Sequence, residues 1–270
     1  MPDFWIIGPI AWDLALYVDR LPASGHFVQA DRSVERPGGT GANVAVALSQ
    51  AGGRVHMVGY IGADAAGRNM TNALTAAGVD VEHVQTLPGR TSSVVLLIEP
   101  SGERTIIGIH TDLLHTVAIP VFAVSPGDIV YFAAWHDTFT DAAEAMAAKG
   151  ALVTSVPPGA VSAMRYLIGS QNDFRSIPAQ TTAVVTEGAN GVTVHSSGEP
   201  EHYPAVPADV VDATGAGDAF AAGLLWEIGG GKGLHEGVRL GLAWASAAVS
   251  TKSSMPTGWG EHDGPTSVPG

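Results

Sequence analysis

Near-continuous apolar runs recur along the chain at 4–8 (FWIIG), 55–60 (VHMVGY), 129–132 (IVYF), 152–156 (LVTSV) and 183–186 (AVVT). Runs without polar alternation are how strands buried on both faces read. Ala-rich stretches between them predict helices over 43–51, 65–77, 141–149, 219–228 and 234–250. Gly52-Gly53, Gly78 and Gly150 fall where a helix end favours a left-handed residue. Strands alternating with helices predict an α/β fold, with a mostly parallel central sheet and helices on both faces.

Two stretches break this rhythm. Residues 13–36 hold alternating segments (LALYV, then HFVQADRSVER) with no helical period. Residues 91–110 read as a hairpin, with strands over 93–99 and 104–109 flanking Pro100-Ser101-Gly102-Glu103. Such insertions predict a small separate β-sheet that serves as a lid over a ligand site. The stretch after Ser250 is rich in Gly, Pro, Ser and Thr, and its last ten residues are expected to be mobile. One domain over 1–270, with lid strands at about 13–36 and 91–110, is the economical organisation.

Composition narrows the function. With 270 residues, 46% of them hydrophobic, the chain has ample material for a core. It holds no Cys, which excludes disulfides, thiolate metal sites and thiol nucleophiles. A formal charge of −13 argues against nucleic-acid binding. No run approaches a membrane span and no cationic leader opens the sequence, so a cytoplasmic location is expected.

The densest chemical signal is Asp212-Ala213-Thr214-Gly215-Ala216-Gly217-Asp218, followed by the helical AFAAGLLWEI. Small residues running into a helix leave its first amides unpaired at the positive end of the dipole, where phosphate oxygens bind. Asp218 in the first turn would repel a phosphate that was merely bound. It makes sense as a base taking a proton from an alcohol that attacks that phosphate, although a simple dipole-complementing or capping role fits this local pattern equally well. A second cluster, Arg36-Pro37-Gly38-Gly39-Thr40-Gly41-Ala42-Asn43, also precedes a helix. Its glycines admit a small polar ligand and Asn43 offers a donor and an acceptor; taken alone, the cluster reads more simply as a loop with Asn43 as N-cap. Neither cluster is a Walker loop or a Rossmann fingerprint. The ten histidines show no zinc spacing, and no G-x-S-x-G elbow is present.

Together, GG-T-GAN at 38–43 with Gly52 and Gly62 beyond it, and DATGAGDAFAAGLL at 212–225, resemble the two motifs of the ribokinase-like (PfkB) family of carbohydrate kinases. The resemblance spans nearly the whole chain and implies the ribokinase-like fold with its β-sheet lid. It makes Asp218 the catalytic base and Gly215, Ala216 and Gly217 the anion hole. Asp13, expected near the end of the first strand, with Gly38, Gly39 and Asn43, would bind the acceptor. Ser170, Thr186, Gly188, Gly191, Thr214 and Ala243 would border ATP. Asp173 would reach Mg2+ through water, and Asp212 would lie at a site for a monovalent cation such as K+.

The chain departs from the family at informative places. Ser170-Gln171-Asn172-Asp173 stands where the family has Asn-x-x-Glu, and Ala11, Thr40 and Ala134-Trp135 stand where ribokinases proper place side chains that hold ribose. Trp12 and Trp135 offer an aromatic wall or belong to the core. The expected activity is ATP-dependent transfer of a γ-phosphate to a hydroxymethyl group of a small sugar, ribose, fructose or another ketose. A nucleoside kinase is the alternative, and a non-catalytic sensor on the same scaffold is the second. The open edges of the lid strands suggest a homodimer through the lid.

Overall fold

The computed structural model describes residues 1–109, 113–157, 162–177 and 179–251. His110, at the expected hairpin's end, and the Gly/Pro-rich stretch beyond Thr251 lie outside the described residues.

The first apolar run forms β1 (Asp3–Ile7), and its side chains divide by parity. Phe4 and Ile6 enter one core; Trp5 and Ile7 enter the other, on the opposite face. That double burial is why the run carries no polar alternation. Around it are β4 (Arg54–Gly62), β5 (Val84–Leu87), β8 (Ile129–Phe132), β9 (Leu152–Ser155), β10 (Tyr166–Ser170), β11 (Thr182–Thr186), β12 (Val192–His195) and β13 (Glu201–Tyr203). Among the described residues the sheet has nine strands, in the order β13-β12-β11-β10-β9-β8-β1-β4-β5. Its pairings are parallel except for those of β12 with β11 and with β13.

The helices are α1 (Thr40–Gln50), α2 (Ala65–Ala76), α3 (Thr140–Ala148), α4 (Ala216–Gly229) and α5 (Leu234–Val249). All five expected helices are present. Gly52, Gly78 and Gly150 have φ of 95°, 81° and 89° at the helix ends where the sequence puts them. Two helices start three residues earlier than their apolar period suggests, α1 at Thr40 and α4 at Ala216, because both glycine loops wind directly into the first turn. Strands β5, β10, β12 and β13 lie outside those expected. Strands β5, β12 and β13 are three or four residues long at or beside the sheet margins, where burial leaves a weak apolar signal, and β10 (YLIGS) holds only three apolar residues before Gly169-Ser170.

A second sheet has the order β3-β2-β6-β7, from β2 (Ala11–Tyr17), β3 (Arg32–Gly38), β6 (Ser93–Ile98) and β7 (Arg104–Ile109). It gathers the two stretches that break the helical rhythm. Its own small core is Ala15, Leu96 and Ile98. Asp13 lies inside β2, paired across from Arg36, and not at the end of the first strand. No described helix is long and apolar enough to cross a membrane.

Candidate active site

The two glycine clusters meet beyond the carboxyl ends of the central strands, where open α/β sheets place their ligand crevices. Gly215 caps α4 with φ 81°, a left-handed conformation that a Cβ would strain. The turn aims the start of the helix outward. The amides of Gly217 and Asp218 have no hydrogen-bond acceptor among the described residues. Unpaired amides at a helix N-terminus form an anion-binding surface.

Asp218 projects from that first turn and accepts a hydrogen bond from Asn43 Nδ2 at 2.6 Å. Asn43 is therefore no N-cap: Gly39 caps α1 with φ 94°, and the Asn43 amide bonds back to the Gly39 carbonyl. Burial raises the Asp218 carboxyl to about 6, while the Asn43 hydrogen bond and the positive charge of Arg104 lower it. A carboxyl tuned upward by burial is suited to taking a proton near neutral pH.

Asp13 faces the same region from β2 and is 3% exposed. Burial raises its carboxyl to about 7; Arg36 pulls it down and Asp218 pushes it up. A Cβ on Gly38 would stand 2.0 Å from Asp13 Oδ2, so only glycine lets β3 pass this close. Asp13 Oδ1 and Asn43 Oδ1 are buried without a partner among the described residues. Such orphaned acceptors are costly unless a ligand's hydroxyl groups meet them.

A cavity of about 530 Å³ adjoins Asp218 and Gly217. Its far wall carries Ser170, Asp173 and Thr186, and Thr40, Tyr131 and Trp135 complete much of the lining. Trp135 packs edge-on against Phe132 and Phe139, so it belongs both to a core and to the cavity wall. Trp12 instead donates to Glu35 at 3.1 Å. Asp173 Oδ2 accepts from both the Ser170 amide and its hydroxyl, each at 2.7 Å, which folds the Ser170 turn around the carboxylate. No cluster of three or more acidic or histidine side chains forms a metal cage among the described residues. The donor set fits a magnesium ion carried mainly by phosphates and waters, with Asp173 as a carboxylate at the cavity wall.

The remaining expected residues divide. Gly188 and Gly191 bracket the turn after β11, Thr214 lies just before the anion loop, and Ala243 is on α5; none of these lines the cavity. Asp212 is buried, with Arg36 Nη1 at 2.9 Å and the Thr214 amide at 2.8 Å. Burial opposes its ionisation, but hydrogen bonds from Thr214 and the Arg36 guanidinium outweigh it and hold the carboxyl below its ordinary range. Arg36 thus supplies a counter-charge at Asp212. Neither Tyr131 on the cavity wall nor the Arg36–Asp212 pair has a local sequence signal, although Arg36 opens the glycine cluster at 36–43.

An anion loop, a tuned carboxylate and an adjoining polar crevice define an α/β protein equipped for phosphoryl transfer to an alcohol. The chain matches the family model described as pfkB family carbohydrate kinase over residues 1–172 and 172–258, and it belongs to that family. A fructokinase of Klebsiella pneumoniae is 30% identical over 267 residues, 82% of each chain. A ribokinase of Bacillus subtilis is 25% identical over 284 residues, covering 95% of this chain and 97% of the relative. An aminoimidazole riboside kinase of Salmonella typhimurium is 26% identical over 309 residues, covering 94% and 91%. Among solved structures, a ribokinase from Cryptococcus neoformans var. grubii in complex with ADP superposes with a TM-score of 0.80 at 19% identity, covering 94% and 96% of the two chains.

Proposed function

We propose that this protein is an ATP-dependent kinase that phosphorylates a hydroxymethyl group of a small sugar. The observation that carries the reading is the Asn43–Asp218 contact at the mouth of α4, because it joins an acceptor-side amide, a raised carboxyl and unpaired helix amides at one point.

Asp13 and Asn43 hold acceptor hydroxyls with their orphaned oxygens. Asp218 takes the proton of the attacking hydroxyl, and the loop Gly215, Ala216 and Gly217 stabilises charge on the transferring group. ATP and Mg2+ supply the phosphoryl group and its charge neutralisation when bound. Ser170, Asp173 and Thr186 on the cavity wall would hold them, with Gly188, Gly191, Thr214 and Ala243 outlining the rest of the nucleotide path. The four-stranded sheet closes over the acceptor as a lid, excluding water that would otherwise consume ATP. The whole chain acts as one kinase domain.

Two further features follow from the same reading. Ile106, Ile107 and Ile109 are exposed on β7, an edge strand of that sheet, which supports a homodimer through the lid, measurable by light scattering. The need for ATP and the absence of Cys favour the cytoplasm.

A nucleoside acceptor is the second reading, favoured by the riboside kinase among the relatives. A non-catalytic sensor is disfavoured, since a sensor has no use for a raised carboxyl at the anion loop. An ADP-release screen across ribose, fructose, other ketoses and nucleosides with Mg2+ decides between them. Turnover with sugars is expected; sugar binding by calorimetry without ADP formation would sink the catalytic reading.

A further inference from the structure

Arg104 opens β7 and pairs across from Ile98. Side chains two residues apart along a strand share a face. The register therefore puts Arg104 on the face that carries Ala15, Leu96, Ile98 and Asp13, the one turned toward the site. The turn just before it rests beside the segment that leads into the anion loop, since a Cβ on Gly102 would stand 3.4 Å from Val210 Cγ1.

The guanidinium is placed but not used. Arg104 Nε is buried with no hydrogen-bond partner, and no ion pair joins Arg104 to any described residue. Its charge nonetheless acts on Asp218, lowering that carboxyl. With the turn before it against Val210 at the lead into the anion loop, Arg104 stands where its charge reaches the base. Arg36 is committed to Asp212. The other charged side chains around the crevice, Asp13, Asp173 and Asp218, are carboxylates that would repel an incoming triphosphate.

Resting on the kinase reading above, we infer that Arg104 is a catalytic residue carried by the lid, docking on the transferring phosphoryl group as the lid closes. In the transfer, the bond between acceptor oxygen and phosphorus forms while the bond to the bridging oxygen breaks, that electron pair leaving with ADP. Asp218 holds the acceptor's proton. Arg104 exchanges no proton; it donates hydrogen bonds to the equatorial oxygens, where negative charge accumulates. Lid closure then delivers part of the catalytic machinery, which ties exclusion of water to completion of the site.

The test uses the full chain with Arg104→Gln and Arg104→Lys, each checked for a native circular dichroism spectrum. For R104Q, kcat is expected to fall about 10²–10³-fold, the cost of losing one such donor, with acceptor KM and MgADP affinity largely kept. R104K should fall between, retaining charge without the planar fork. In a calorimetric arm, fluoroaluminate, a mimic of the transferring group, should tighten MgADP binding to the wild type but not to R104Q. Wild-type kcat in R104Q, or a raised acceptor KM with kcat retained, would overturn the inference. Absence of ADP formation by the wild type with every acceptor would instead break the kinase reading, while the fluoroaluminate titration would still decide the role of Arg104.

Discussion

At the amino ends of the central strands, charged groups are matched one to another; at the carboxyl ends, they are left waiting. His56 sits between Asp80 at 2.8 Å and Asp3 at 3.1 Å, and its ring stacks on Trp5 with centroids 4.2 Å apart. Asp128 accepts from the Trp5 indole and from the amides of Asp3 and Ser125. Across the sheet, Asp13, Asn43 and Arg104 keep buried polar atoms with no partner among the described residues. The first cluster spends its polar groups on folding, and the second withholds them for a ligand. Carboxyl tuning follows the same division. Burial works against Asp80, but the Glu82 amide and His56 outweigh it and lower its carboxyl, whereas burial wins at Asp13 and Asp218 and raises theirs.

The sharpest way to break this comparison is Asp218→Asn. Turnover should fall about 10²–10⁴-fold, with nucleotide binding intact by calorimetry. A variant near wild-type activity would return Asp218 to the role of a helix-dipole partner. Asp13→Asn should raise acceptor KM roughly 10–100-fold, the worth of a charged hydrogen bond, and change the KM for ATP little.

The same substitution separates function from stability. Asp13's folded carboxyl lies above its ordinary value, so the proton-bound form favours folding; that contribution is full below about pH 4 and is lost as pH rises through about 7. D13N should therefore melt above the wild type at pH 8, by a margin that shrinks toward pH 5. For activity the sign is opposite. The base must be ionised, so kcat/KM should drop about tenfold per pH unit below about 6, measured under acceptor-limited conditions. The smallest effect belongs to the other end: His56→Ala should lose about 1–3 kcal/mol in urea unfolding, by leaving carboxylates unpaired, with kcat unchanged.

Much of this was legible beforehand, for reasons specific to each element. The run at 4–8 declares its burial because both parities must be apolar, and Gly78 and Gly150 declare helix ends because their backbone conformation suits glycine. The loop 212–218 advertises an anion site through side chains too small to obstruct its amides. Arg36 and Asp212 give no such sign: they are far apart in the chain, and their pairing appears only when β3 is laid beside the α4 loop. Arg104 gives no sign either, because nothing local distinguishes the two faces of β7.

The chain's pattern of apolar runs and its two glycine clusters determined the α/β fold and put Asp218 in the first turn of a helix opened by a loop of small residues, since each is a property of contiguous residues. Tertiary structure alone decided which charges meet. Asn43 reaches Asp218, Arg36 pairs with Asp212, and the charge of Arg104 is brought to act on Asp218. Electrostatic partnership depends on distance through space, and the order of residues does not encode it.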